Sequence, residues 1–497
     1  MNDTGNDTGA PSTVYANRQE TLTDLEARVR RDLSYLNYPP KNWIKPLPPG
    51  GEDETLDVAI IGGGMVGLAV AFALRREGIA NIVALDAAPE GQEGPWVTTA
   101  RMRTLRSPKI LLGPAMEMAS LTFRAWFVAQ HGDAAWDALG KIPRVQWMDY
   151  LRWYRMVLDL PVRNEVTVET IRWRDDRFVL QTRGPDGAKT IAARRVALAT
   201  GRDGLGGSNL PEQAHSLDPS CWAHSADDID FERLAGKRVA VIGAGASAFD
   251  NAAVALESGA SEARILCRRP DIPRINKLTG IGSPGIVHGW YALPDEWKWR
   301  LLHYNDSCQT PPPGTSIRRV TEFPNGHVHT GCSILAMRQA GGVVEIETPR
   351  GTYACDFVIF ATGFRFDPAL RPELAAFADN ILTWADVYEP PVSEADETLS
   401  SAPYLGPIFE FRARRPGEMP GLDRLHCMNY AATLSHSKLT GDIPAVTQGA
   451  KRLAQGLAAA FLSEDIEHHY ARLQAFDTPE VTGDEWVDEP LPQPADP

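Results

Sequence analysis

Two periods of apolar spacing organise this chain. LDVAII is a short apolar run closed by glycines, as expected of a strand buried on both faces. LAVAFALRREG then reads as a helix and NIVALD as a second strand, so a βαβ unit spans roughly 56–87. VTVETIRWRDDRFVLQTR alternates with period two, which predicts paired antiparallel strands, and the PDG turn continues the pattern. RRVALATG and CDFVIFATGF are strands ending in turns. A second βαβ unit runs from about 237 to 268. Near the C-terminus, DIPAVTQGAKRLAQGLAAAFL is helical, with apolar residues at 443, 446, 453, 457 and 461 and a start near Asp442 or Ile443. TLTDLEARVRRDLSYL predicts a helix capped by Thr21 or Thr23. NYPPKNWIKPLPPGG is a connector laid over the surface. Residues 88–160, rich in Arg and Trp, read as irregular, and GWYALPDEWKWRLLHYN as an aromatic insert. Residues 1 to about 20 and those beyond 477 are expected to be disordered.

The turn of each βαβ unit carries its chemistry. In VAIIGGGMVGLA the glycines are Gly62, Gly64 and Gly67. Such glycines make a tight turn, let the backbone approach a pyrophosphate and let helix pack on strand. The anion then meets free N–H groups at the helix start. Asp86 closes the second strand 86 − 67 = 19 residues past Gly67, where an acid accepts hydrogen bonds from a ribose. In VAVIGAGASAFD the matching positions are Gly243, Gly245 and Ala248, and the following strand ends in Arg268 and Arg269. Guanidinium groups there suit a 2′-phosphate, and so NADPH rather than NADH. A hydride donor needs an acceptor, and FAD is the usual one. The loops lie 243 − 62 = 181 residues apart, too far for one sheet.

The expected fold is therefore α/β, with two Rossmann-like dinucleotide-binding domains and the NADPH domain inserted into a discontinuous FAD domain. Residues 1–54 form an N-terminal extension, 55–215 and 355–465 the FAD domain, 216–354 the NADPH domain and 466–497 a tail. The turns Ala199-Thr200-Gly201 and Ala361-Thr362-Gly363 lie near the crossings.

Composition narrows the picture further. The 497 residues carry a net charge of −14, which argues against a nucleic-acid partner. The N-terminus has no signal-peptide core, and the run from Val58 to Leu74 is short for a membrane span and holds four glycines. The six cysteines form no CxxC pair, which suggests reduced thiols in a cytoplasmic protein, no metal site and no dithiol redox centre.

The two loops at this spacing, LAGKRVAVIGAGASAFDNA, and FATGFRFDP, similar to an ATG(F/Y)xxD motif, make residues 55 to 465 resemble the class B flavoprotein monooxygenases. RVQWMDYLRWYRMVLDLPV and SHSKLTGDIPAV resemble segments of the N-hydroxylating branch, with His436 at the position of its histidine. The FxGxxxHxxx(Y/F/W) fingerprint is incomplete: His224 and Ser225 fit, but Ser220 and Asp228 replace the glycine and the aromatic. The resemblance implies an enzyme using FAD, NADPH and O2 through a flavin C4a-hydroperoxide to N-hydroxylate a small amine or amino acid. Baeyer–Villiger or S-oxygenation, an electron-transfer reductase and a nucleotide-binding redox sensor remain open.

The candidate FAD contacts are Gly62, Gly64, Gly67, Asp86, Thr362, Gly363 and Asp442. Those for NADPH are Gly243, Gly245, Ser247, Arg268 and Arg269. Arg106, Asn429 and His436 are the candidate catalytic residues, and Arg101, Arg103 and Lys109 the candidate carboxylate ligands of a substrate. The expected partners are a small-molecule substrate and O2, with no nucleic acid or membrane, and a homo-oligomer is left open.

Overall fold

A computed structural model describes residues 20–47 and 54–493. The disorder expected for residues 1–19 lies outside the described residues; residues 477–493 are exposed and hold neither helix nor strand.

The strand Glu54–Ile61 is central because both its faces are apolar: Val58, Ala59 and Ile60 are fully buried. It pairs in parallel with Ile82–Leu85 on one side and with Gly187–Leu198 on the other. The sheet grows through Val162–Arg163 beside Ile82–Leu85, and through Leu425–His426 beside Gly187–Leu198, both parallel. The alternating segments add the antiparallel strands Thr167–Arg174 and Arg177–Gly184, giving seven strands. The helix Met65–Arg76 covers this sheet and packs against the long helix Val446–Glu464.

The second sheet repeats the plan. Arg238–Ile242 is flanked by Glu262–Leu266 and Phe357–Phe360, and Gly326–His329 and Trp222–His224 complete five parallel strands. Phe357–Phe360 thus belongs to the second sheet, and the chain returns to the first after Phe360 rather than at 355. A separate antiparallel sheet of Ala336–Ala340, Val343–Thr348 and Gly351–Cys355 precedes that return.

Local details differ from the periodicity in two places. Residues 88–160 are not irregular throughout but contain the helices Phe123–Ala138 and Arg144–Val157. Their rings point several ways and interlock, as in Phe123 against Tyr150 at 5.6 Å and Trp147 against Tyr150 at 5.1 Å. The period of Phe123–Ala138 is broken at Gly132, which has φ +79°, whereas Arg144–Val157 buries Trp147, Tyr150, Leu151 and Tyr154 along one face, a helical spacing present in the sequence. The C-terminal apolar helix starts at Val446, because Asp442 to Ala445 close a turn first, and a further helix, Ile466–Gln474, follows it within the segment expected as a tail. The apolar positions expected of the C-terminal apolar helix are buried. The first helix is Leu22–Tyr35, and Thr21 caps it in a reciprocal pair with Asp24.

Gly67 marks the tightest approach of helix to turn: a Cβ there would lie 1.9 Å from the Gly62 carbonyl oxygen. Replacing Gly67 by Ala is expected to cost more than about 1 kcal/mol, read as a lowered denaturant midpoint with an unchanged m-value; an unchanged midpoint would refute the packing role.

Candidate functional site

Each loop is built on the same contact. Gly62 has φ +104°, and a Cβ there would stand 2.4 Å from the carbonyl oxygen of Ala199. Gly243 has φ +144°, and its Cβ would stand 2.5 Å from the carbonyl oxygen of Ala361. Each turn is therefore pressed under the Ala-Thr-Gly turn of the neighbouring strand, in a conformation that favours glycine.

The second glycines are different. A Cβ on Gly64 would meet nothing nearer than Gly94 at 3.7 Å, and on Gly245 nothing nearer than the Gln309 amide at 3.8 Å. The protein itself leaves these positions open. Gly64 and Gly245 are also the N-caps of Met65–Arg76 and Ala246–Glu257, and neither helix start has a side-chain cap. Open space beside uncapped N–H groups is the chemistry of a dinucleotide pyrophosphate site. The residues present therefore fit FAD at the first loop and a nicotinamide dinucleotide at the second.

Asp86 sits at its expected strand end. Its carboxylate accepts from the Gly63 N–H at 2.7 Å and the Ala88 N–H at 2.8 Å, so it braces the loop. Burial pushes its pKa above the usual carboxylate value, against those two bonds. At the second loop, Ser247 is exposed and its carbonyl accepts from Asn251. Arg268 is exposed, whereas Arg269 donates to the Ser307 carbonyl at 2.8 Å, at the end of the helix Asp295–Cys308. The two arginines are thus not equivalent: Arg269 is held by the chain, and Arg268 faces solvent.

The Ala-Thr-Gly turns tie the two units together. Thr362 donates to the Asn209 carbonyl, and the Gly363 carbonyl accepts from the Asn209 N–H at 2.9 Å. Phe364–Phe366 then pairs with Gly206–Ser208. On the other turn, Asn429 donates to Thr200 Oγ1 at 3.1 Å and caps the turn that follows it. The Tyr430 N–H donates to the Gly201 carbonyl at 3.2 Å.

The arginine-rich segment divides sharply. Arg101 donates to the Thr98 and Asp227 carbonyls and lies over the Phe231 ring at 5.2 Å. Arg103 pairs with Glu257 at 2.8 Å, and Glu257 also pairs with Arg319 at 2.9 Å. Lys109 donates to the Trp136 carbonyl. All three candidate substrate ligands thus have partners within the protein. Arg101 and Arg103 join the two units, and Lys109 anchors a helix.

Arg106 is the exception. Its guanidinium is exposed and makes no hydrogen bond or ion pair with another described residue; Asp442 attracts it and Arg202 repels it. Lys141 donates to the Arg106 carbonyl at 2.8 Å. Arg202 lies over the Tyr430 ring at 4.8 Å, and Asp442 pairs with Lys438 at 3.1 Å. Neither Arg202 nor Lys141 was among the sequence candidates. For Arg202 a signal existed: it directly follows a turn at the carboxyl end of a parallel strand, where α/β proteins bind ligands.

Asn429 and His436 are buried. With its amide holding Thr200 and capping its own turn, Asn429 is a brace rather than an open catalytic group. His436 Nε2 bonds the Gly406 carbonyl at 2.9 Å, Arg452 bonds Nδ1 at 3.1 Å, and the ring stacks on Tyr291 at 4.8 Å. Since Arg452 only donates, Nδ1 accepts and Nε2 carries the proton. Both nitrogens are committed, and burial lowers the pKa to about 3. His436 is thus held neutral, with both ring nitrogens bonded within the protein.

Two sheets, one mixed and one parallel, each with an open glycine loop at an uncapped helix start, fit the fold of the two-dinucleotide oxidoreductases. Residues 59–277 match the family model described as pyridine nucleotide-disulphide oxidoreductase, although all six cysteines here are free. The chain is 39% identical over 471 residues to the FAD-dependent urate hydroxylase of Xanthomonas campestris pv. campestris, covering 93% of this chain and 98% of that one. It belongs to the family of that FAD-dependent urate hydroxylase. Among solved structures it is similar to the ornithine hydroxylase of Pseudomonas aeruginosa, at 15% identity and a TM-score of 0.64 over 82% of this chain and 99% of that one. It is also similar to the ornithine N-hydroxylase of Kutzneria sp. 744, solved with reduced FAD, NADP+ and L-ornithine, at 15% identity and a TM-score of 0.63 with the same coverage. These two likenesses show the shared fold. Among the described residues, no helix is long and apolar enough to cross a membrane, and no metal-ligand cluster occurs.

Two variants separate the sites. Gly64→Ala should fold, since its Cβ has room, and should purify without flavin; Gly245→Ala should stay yellow and lose tight nicotinamide binding. Flavin absorbance and nucleotide titration read both, and retained FAD in Gly64→Ala would contradict the assignment.

A pH titration tests the buried histidines. His426 and His436 both have pKa values lowered to about 3 by burial, from an ordinary 6.5. Between those values the unfolded chain binds protons that the folded chain does not, so stability falls as pH drops. The slope approaches about 1.4 kcal/mol per pH unit for each histidine. His436→Phe should flatten the decline of unfolding free energy between pH 6 and pH 4; an unchanged slope would contradict the buried neutral state.

Proposed function

We propose that this protein is a monooxygenase that uses NADPH and O2 with FAD to hydroxylate a planar, anionic oxopurine of the urate type. The observation that carries the redox part is the pair of open, uncapped glycine loops beneath two linked Ala-Thr-Gly turns, which suits two dinucleotides in one cleft. The substrate class follows the relative that matches along almost its whole length and is named for urate.

Bound FAD would supply hydride acceptance and oxygen activation, as expected from the family motifs. The balance is that substrate, O2, NADPH and a proton give hydroxylated substrate, NADP+ and water. An anionic oxopurine ring is electron-rich, so a ring atom attacks activated oxygen without a nucleophilic side chain. What remains for the chain is to hold both nucleotides, orient the substrate and exclude water. Gly62, Gly64 and Gly67 with Asp86 would hold FAD. Gly243 and Gly245 would hold NADPH, with Arg268 on its 2′-phosphate.

The second reading is N-hydroxylation of a small amine or amino acid. It is favoured by the fold shared with the ornithine hydroxylases and by the unpaired Arg106, whose guanidinium suits an amino-acid carboxylate.

The test supplies the FAD-loaded protein with NADPH and air, together with urate, L-ornithine or L-lysine. The proposal predicts loss of urate absorbance with NADPH and O2 consumed in equal amounts, and slower turnover with NADH. Hydroxylamine formation from an amine with no urate loss would replace it with the second reading.

A further inference from the structure

We infer that Arg202 and Arg106 form a clamp for the negative edge of the substrate, with Tyr430 holding the Arg202 guanidinium in place; this deepens the reading of an anionic oxopurine substrate.

The clamp sits where the two units meet. Arg202 follows Gly201, at the carboxyl end of Gly187–Leu198, and the Gly201 carbonyl accepts from the Tyr430 N–H. The Tyr430 ring carries Arg202 at 4.8 Å and lies 6.3 Å from Phe366, beyond the second Ala-Thr-Gly turn. Arg202 is thus fixed over an aromatic face at the carboxyl ends of both sheets, the crevice where such folds bind ligands.

The charges around it are unbalanced. Arg106 and Arg202 interact as like charges, and Lys141 adds a third cation beside Arg106. Elsewhere in this part of the molecule the arginines are neutralised or bound: Arg101, Arg103 and Arg319 all reach carbonyls or carboxylates. Arg202 has no acidic partner among the described residues, and Asp442, the acid that attracts Arg106, is shared with Lys438, so the exposed cations here outnumber the acids beside them. A bound anion balances that excess.

FAD phosphates do not account for these cations, since the open helix start at Gly64 already provides the pyrophosphate place. The guanidinium fork donates two parallel N–H bonds to a flat edge with two acceptors. A deprotonated lactam edge of an oxopurine offers such a pair, and so does the carboxylate of an amino acid.

The experiment compares FAD-loaded wild type with Arg202→Gln, Arg202→Lys and Arg106→Gln. For Arg202→Gln the KM for urate should rise about tenfold to a hundredfold, the loss of a charge-assisted bidentate contact. Flavin reduction by NADPH without urate should stay at the wild-type rate, and Arg202→Lys should fall between, keeping the charge but not the fork. An unchanged KM in Arg202→Gln overturns the clamp, as does loss of FAD with KM intact. If wild type leaves urate untouched, the functional reading fails on its own. The same proteins are then compared on L-ornithine and putrescine, which lacks the carboxylate. A wild-type preference for L-ornithine that Arg202→Gln abolishes upholds the clamp with a carboxylate as its ligand; no such preference overturns it.

Discussion

The arrangement depends on one close approach made twice. In each unit a glycine turn lies against the carbonyl of the Ala-Thr-Gly turn on the adjacent strand, closer than any Cβ would allow. That contact sets the spacing between the first strand and the strand that follows the crossover. It also leaves the second glycine of each loop facing open space at a bare helix start. A phosphate-sized anion fits there because the backbone donors have no side chain to satisfy them.

The two units are then fixed relative to each other by polar ties as well as apolar packing. Glu257, at the end of the second unit's loop helix, receives Arg103 from the first unit and Arg319 from its own. Arg319 also donates to the Arg101 carbonyl at 3.2 Å. On the opposite turn, Asn429 and Tyr430 lock the segment before the long helix Val446–Glu464 onto Thr200 and Gly201. His436 extends this bracing inward. Its tautomer is dictated by Arg452, and its proton holds the Gly406 carbonyl. These ties hold the faces of the cleft, so the residues left without partners stand out.

Much of the fold was legible because its signals are local. Buried parallel strands read as apolar runs, the loops as glycine spacing, and the antiparallel strands as alternation. The long C-terminal helix was legible from Val446 to Phe461 but not at its start, where a turn at Asp442 has no distinct pattern. The helix Phe123–Ala138 was obscured by the break at Gly132, while the stripe of Trp147, Tyr150, Leu151 and Tyr154 in Arg144–Val157 was there to be read. The site was legible only in its nucleotide loops. Arg101, Arg103, Arg106 and Lys109 are equivalent in one dimension, and tertiary contacts alone separate the bound from the free. Arg268 and Arg269 divide for the same reason: the carbonyl that holds Arg269 comes from a helix end almost forty residues later.

The central claim is that the two loops serve one redox cleft, with hydride passing directly between their nucleotides. Rapid anaerobic mixing of the flavin-loaded protein with NADPH, or with NADPH deuterated at C4, measures this. The account predicts bleaching of the flavin in a single phase, slowed by a primary isotope effect. A flavin that stays oxidised under saturating NADPH would contradict it.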